Sequence, residues 1–190
     1  ANGDVLSHVI SVAHFLTDSS ISRVVGDYAI VHKERADSQS AGQTKTVDND
    51  DMVAALIHFE NGVKGHIGAS RVTWGRKCGL RWELHGTEGT ILYDQERLNE
   101  LKLFTRQDNP ATDGFRTILT GPLHQPYSAF LPNGGHSLGY MDVKICELHD
   151  LLSAIEADSS VWPSFSDGLK IEQVMDAVDR SAQTDKWVDV

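Results

Sequence analysis

Apolar residues return every three to four positions at Val5, Val9, Val12 and Leu16. That spacing lays them along one face and predicts an amphipathic helix over residues 4–16. The period then changes. β-Branched and aromatic residues alternating with polar ones predict strands over residues 23–32, 52–60, 63–72, 80–85, 90–94, 100–105 and 116–119. Between the second and third of these, Asn61-Gly62 supplies the positive φ angles of a two-residue hairpin turn. Such a turn pairs Glu60 with Val63 and sets Phe59 opposite Lys64, His58 opposite Gly65 and Ile57 opposite His66. Val53, Ala55, Ile57 and Phe59 then share a face, while His58 and His66 point to opposite faces. Helical spacing resumes in residues 140–157, with Ile145, Leu148, Leu152 and Ile155 expected inward, and in residues 166–184, with Ile171, Val174, Met175 and Val178 inward.

The polar, breaker-rich stretches 36–51 and 107–114 predict exposed connections, and residues 123–139, with Pro126, Pro132 and Gly134-Gly135, predict an irregular surface excursion. Together these elements predict an α+β fold in one domain, residues 1–190. Its open, mostly antiparallel β-sheet carries helices packed on one face. The other face, with Leu56 and Ile67, is left available for oligomerisation, so a homo-oligomer is expected.

Composition narrows the function classes. A formal charge of -10 without clustered Lys and Arg excludes a nucleic-acid surface, which needs cations to neutralise phosphates. No apolar run approaches the roughly 18 to 20 residues of a membrane span, and no basic-then-apolar leader is read at the start. Cys78 and Cys146 form neither a disulfide framework nor a zinc pattern, which fits a reducing, cytoplasmic setting.

Asp4 and His8 stand four apart on the first predicted helix, one turn from each other on the same face. A carboxylate beside an imidazole can orient the ring and suit it to take a proton from a hydroxyl. Equally, an Asp in a first helical turn serves as a cap or dipole partner. A shared metal ion is disfavoured, because no third ligand stands at a recognisable spacing and the hairpin register separates His58 from His66. No metal site is therefore expected. Gly62, Gly65 and Gly68 lie in a hairpin, and Gly134, Gly135 and Gly139 follow no parallel strand, so no dinucleotide-binding turn is read and cofactor-binding residues are expected to be absent. Arg71, Trp74 and Arg76 form a cationic and aromatic cluster at a strand end, suited to line a polyol pocket or to form a solvated rim. His136, flanked by glycine, has the same two readings, whereas Glu147, His149 and Asp150 read as solvated helix positions.

The order of several segments resembles the carboxy-terminal domain of the glucose-fructose oxidoreductase/inositol dehydrogenase/rhizopine catabolism (Gfo/Idh/MocA) family. They are Gly3-Asp4-Val5-Leu6-Ser7-His8, Asp50-Asp51 before the Asn61-Gly62 hairpin, Ala69-Ser70-Arg71, Glu83 to Gly89, Gly135-His136-Ser137 and the ending through Trp187-Val188-Asp189-Val190. The resemblance implies hydride transfer between a sugar or cyclitol carbinol and NAD or NADP, the nucleotide being held by an amino-terminal Rossmann domain outside these residues. It makes His8 the proton acceptor or donor and gives Asp4 the task of orienting it or binding substrate. Ser11, Arg71, Trp74, Arg76 and His136 are the expected substrate-binding positions. Many relatives carry a second Asp where Ser11 stands, and the Lys of their Glu-Lys-Pro turn has no counterpart here. By this analogy the chain is expected to be inactive alone. Two alternatives stay open: a non-catalytic oligomerisation or ligand-sensing module of the same fold, and a metal-assisted hydrolase.

Overall fold

The structure, a computed structural model, describes residues 1–106 and 110–190. Of the expected connection over 107–114, residues 107–109 lie outside those described. The chain opens with a wide π-turn, Asn2–Leu6, that runs into α1 (Ser7–Thr17). Then come β1 (Ile21–Ala29), β2 (Glu34–Ala36), β3 (Thr44–Thr46), β4 (Met52–Phe59) and β5 (Lys64–Ser70). Next follow β6 (Arg81–His85), β7 (Gly89–Asp94), β8 (Glu100–Thr105) and β9 (Arg116–Leu119), and the chain closes with α2 (Tyr140–Glu156), α3 (Phe165–Thr184) and β10 (Val188–Asp189). The α+β class holds, with every described ladder antiparallel. The strands divide into four-stranded sheets β10-β1-β4-β5 and β6-β7-β8-β9 and a ribbon β2-β3. Two compact units result: Ala1–Trp74 with Trp162–Val190, and Gly75–Val161. No described helix is long and apolar enough to cross a membrane.

In the first unit α1 and α3 pack on one face of the sheet, around Leu6, Ile10, Val24, Ile57, Val174 and Val178, all fully buried. The α3 stripe is as its period predicts, with Met175 also buried and Ile171 partly so. On α1 the buried line runs through Leu6 and Ile10, and the expected Val5, Val9, Val12 and Leu16 flank it at half-burial. The helix is apolar around more than half its circumference, so periodicity alone could not centre the stripe. α3 packs against the sheet at Gly26. A Cβ built there would meet Ala54 O and Ala55 Cβ at 3.1 Å and Val178 Cγ1 at 3.2 Å. The Gly26 N–H donates to buried Ser181 Oγ at 3.0 Å, and that hydroxyl donates to Lys186 O at 2.6 Å.

The hairpin register differs from the expected one by a single residue. Gly62 N–H donates to Phe59 O at 3.0 Å and Phe59 N–H to Val63 O at 2.9 Å. The loop therefore holds three residues, Glu60 to Gly62, with Gly62 alone at positive φ (87°). This is the turn-plus-bulge closure that competes with the two-residue turn for the same Asn-Gly pair. Leu56 now faces His66, Ile57 faces Gly65 and His58 faces Lys64. Because side chains alternate along a strand, one slip moves a whole strand to the other face. Ile67, expected on the open face, is in the core at 6% exposure, and His58 and His66 share the open face with Leu56. The predicted buried set Val53, Ala55, Ile57 and Phe59 stands.

The second unit is a meander in which Trp82 and Tyr93 lie 5.6 Å apart between ring centroids. The excursion over residues 123–139 is irregular as expected, and Asn99 ties it down: its amide donates to Leu138 O at 3.0 Å and its carbonyl accepts the Leu138 N–H at 2.7 Å. α2 departs from expectation. Its stripe is open, with Leu148 54% and Ile155 66% exposed and Ile145 and Leu152 also exposed. The period correctly gave a helix with an apolar face, but no described part of its own unit covers that face; packing of helices on one sheet face is seen for α1 and α3 in the first unit.

Candidate active site

The π-turn sets up the first pair of candidate residues. Leu6 N–H reaches back five residues to Ala1 O at 3.1 Å, a widened turn of the kind found where a helix must present a side chain differently from a regular one. Asp4 stands on it, exposed, and His8 follows in the first turn of α1, exposed as well. The interaction that their spacing allows is not seen as a mutual hydrogen bond among the described residues. Asp4 Oδ2 instead accepts from Arg71 Nη1, at the end of β5, across 67 residues of sequence. The side chains of His8 and of half-buried Ser11, three residues on, make no hydrogen bond among the described residues. This leaves an imidazole and a hydroxyl on successive helical turns free for a ligand.

The backbone beneath this group is restrained by two consecutive carboxylates. Asp50 Oδ2 accepts the Asn2 N–H at 2.8 Å. Asp51, almost wholly buried, takes the Val31 and His32 amides on Oδ2 at 2.8 and 2.9 Å and Arg35 on Oδ1 at 2.6 Å. The His32 amide bond is the main cause holding the Asp51 carboxyl below its ordinary pKa, with smaller help from Val31 and Arg35 and opposition from desolvation. The Asp51 carbonyl accepts the Arg71 N–H at 2.9 Å. Asn2, buried, donates its amide to Met175 O and Asp179 Oδ1. Sequence reasoning gave Asp50-Asp51 no role beyond marking a resemblance and missed Asn2, because their partners lie far away along the chain.

The remaining candidates are divided between the two units. Trp74 is 98% exposed. Arg76 belongs to the second unit, where it pairs with Glu96 at 2.7 Å, a bond that raises the guanidinium pKa; the Lys77 N–H, also on Glu96, is the main cause lowering the Glu96 carboxyl. His136, exposed in the same unit, places Nδ1 3.1 Å from Asn133 O. Glu147, His149 and Asp150 are exposed, as read. No group of three or more metal-ligating side chains occurs among the described residues. The register argument used against a metal fails, since His58 and His66 share a face, where the His58 ring lies tilted against Trp187 with centroids 4.6 Å apart. Neither unit offers a strand, glycine turn and helix joined by parallel pairing, so the described residues do not fit the dinucleotide-binding arrangement.

Comparison with known proteins agrees with the resemblance. The profile of the GFO/IDH/MocA C-terminal domain matches residues 1–92. A levoglucosan dehydrogenase of Pseudarthrobacter phenanthrenivorans is 36% identical over 200 residues, taking in 100% of this chain and 51% of its own. Levoglucosan dehydrogenase solved in complex with NADH and L-sorbose superposes with a TM-score of 0.93 at 38% identity, covering 100% of this chain and 50% of that one. An NAD binding oxidoreductase from Klebsiella pneumoniae gives 0.92 at 38%, with the same coverage. The chain thus spans about half the length of the relatives it matches. Residues 1–92 thus match the Gfo/Idh/MocA carboxy-terminal domain, and the whole chain aligns in fold and sequence with about half of each of these oxidoreductases.

Proposed function

We propose that this chain is the carboxy-terminal, substrate-side domain of a nicotinamide-dependent dehydrogenase acting on the carbinol of a sugar or related polyol. The observation that carries this is the free imidazole of His8, beside Asp4 and Ser11, in a chain aligned over its whole length with levoglucosan dehydrogenases. In the proposed reaction the carbinol loses a proton from oxygen and a hydride from carbon, becoming a carbonyl. His8 accepts the proton through an unoccupied ring nitrogen, and Asp4 and Ser11 bond neighbouring hydroxyls. A nicotinamide, when bound, would supply the hydride acceptor. Sugars are favoured over cyclitols, since the relatives' names are those of sugar dehydrogenases, and NAD over NADP for the same reason.

A homo-oligomer is part of the proposal. Leu56 and Met52 stand exposed on the sheet face opposite α1 and α3, a disposition suited to burial against a second copy. That face equally favours the alternative of a non-catalytic assembly or sensing module. The deciding experiment is titration of the intact gene product with NADH and NADPH, then a screen of levoglucosan and other polyols. Polyol-dependent reduction of NAD supports the dehydrogenase; absence of nucleotide binding supports the module.

A further inference from the structure

The ion pair of Asp4 and Arg71 is restrained from both sides by one dipeptide. Asp50 holds the amide of Asn2, two positions before Asp4, and the carbonyl of Asp51 holds the amide of Arg71 itself. Asp51 is in turn fixed by Val31, His32 and Arg35, and Asn2 by α3. Neither backbone that carries the pair is free to drift, although both charged groups face solvent. An exposed ion pair contributes little to stability, so this much restraint is better explained by placement of the carboxylate. Only Oδ2 is used; Oδ1 has no partner among the described residues.

We infer that Arg71 is a positioning residue that fixes Asp4 so that Oδ1 accepts a substrate hydroxyl, leaving His8 to exchange the proton without help from Asp4. The inference rests on the dehydrogenase reading and adds a positioning residue to its site. An ionised carboxylate only accepts hydrogen bonds, so its partner is a hydroxyl and not an ether or carbonyl oxygen.

The test uses the intact gene product with levoglucosan, or the best polyol of the screen, and the variants Arg71→Met, Arg71→Lys, Asp4→Asn and the double Asp4→Asn/Arg71→Met. Loss of one charge-assisted contact to substrate predicts that Arg71→Met raises KM about tenfold while kcat changes less than about threefold. Arg71→Lys restores part of the affinity, because an ammonium can still pair with the carboxylate without the fixed fork of the guanidinium. If Arg71 acts through Asp4, the double variant is no worse than Asp4→Asn; effects that multiply overturn the inference. Independently of turnover, the Arg71 15Nε resonance moves in Asp4→Asn, and an unmoved resonance also overturns it. An unaltered protein that oxidises no polyol overturns the dehydrogenase reading and the inference together, and is distinct from an active protein whose variant effects multiply.

Discussion

Replacing Gly26 by Ala tests how α3 is docked on the sheet. The added methyl is placed 3.1 Å from Ala54 O and Ala55 Cβ and 3.2 Å from Val178 Cγ1. None of these yields easily, since Ala54 O is backbone, Ala55 Cβ is set by a central strand and Val178 is wholly buried. On the favourable side, burying a methyl contributes about 0.8 kcal/mol and restricting the unfolded chain about 0.4–1 kcal/mol. Against it, overpacking costs about 1–3 kcal/mol, and any shift of β1 from α3 weakens the Gly26 to Ser181 hydrogen bond, worth about 1 kcal/mol. The expected net loss is about 1–2 kcal/mol. Gly65→Ala is the control, because its Cβ meets nothing nearer than Ile57 Cγ1 at 3.7 Å, so only the favourable contributions apply and stability is unchanged or rises by up to about 1 kcal/mol. Urea denaturation of the two variants and the parent measures both, with an unchanged slope required for the comparison. A Gly26→Ala protein as stable as the parent, or two variants equally weakened, refutes the packing argument.

The other predictions concern charge and chemistry. His14 Nε2 accepts the Ile21 N–H at 3.2 Å, and its pKa is lowered, first by burial and then by Lys170, against smaller opposing effects of Asp167 and Glu60. The unfolded chain therefore takes up the proton first as pH falls below about 6.5, and stability drops until the lowered folded value is passed. Thermal unfolding of His14→Gln between pH 5 and 8 should lose that slope; an identical slope removes His14 as its source. For Asp51 the sign is that of a depressed acid: its stabilisation is present above the ordinary carboxylate pKa and disappears as pH falls through the lower folded value. Asp51→Asn is thus less stable than the parent at pH 7, with the gap closing in acid, and a constant gap counts against the carboxylate. In the intact gene product, His8→Ala lowers kcat by about 10²–10⁴-fold with NADH affinity unchanged; retained turnover excludes His8 as the proton-exchange group.

Much of the fold was legible because local period reflects local structure. Alternation placed β4 with its inward residues correct, and the three-to-four spacing placed α1, α2 and α3 within a few residues. Where the sequence misled, two local solutions were nearly equivalent. Asn61-Gly62 serves a two-residue turn or a three-residue turn with a bulge, and only the strand pairing that closes it decides, which is why Ile67 and His66 exchanged faces. The α1 stripe was blurred by an excess of apolar positions, and the small β2-β3 ribbon lay partly in a stretch read as loop.

By itself the sequence determined the elements, the buried face of β4 and α3, the absence of a nucleic-acid surface pattern, and the motif order that carries the family resemblance. Tertiary structure decided which neighbours those elements have. It left the apolar stripe of α2 uncovered within its own unit, brought α3 against Gly26, and gave Asp4 to Arg71 and not to His8 four residues away. The physical reason is the range of the interactions. Periodicity is fixed by backbone geometry over a few residues, whereas the partner of an exposed carboxylate depends on where a strand end 67 residues distant is delivered by sheet register and by the buried anchors at Asp50, Asp51 and Asn2.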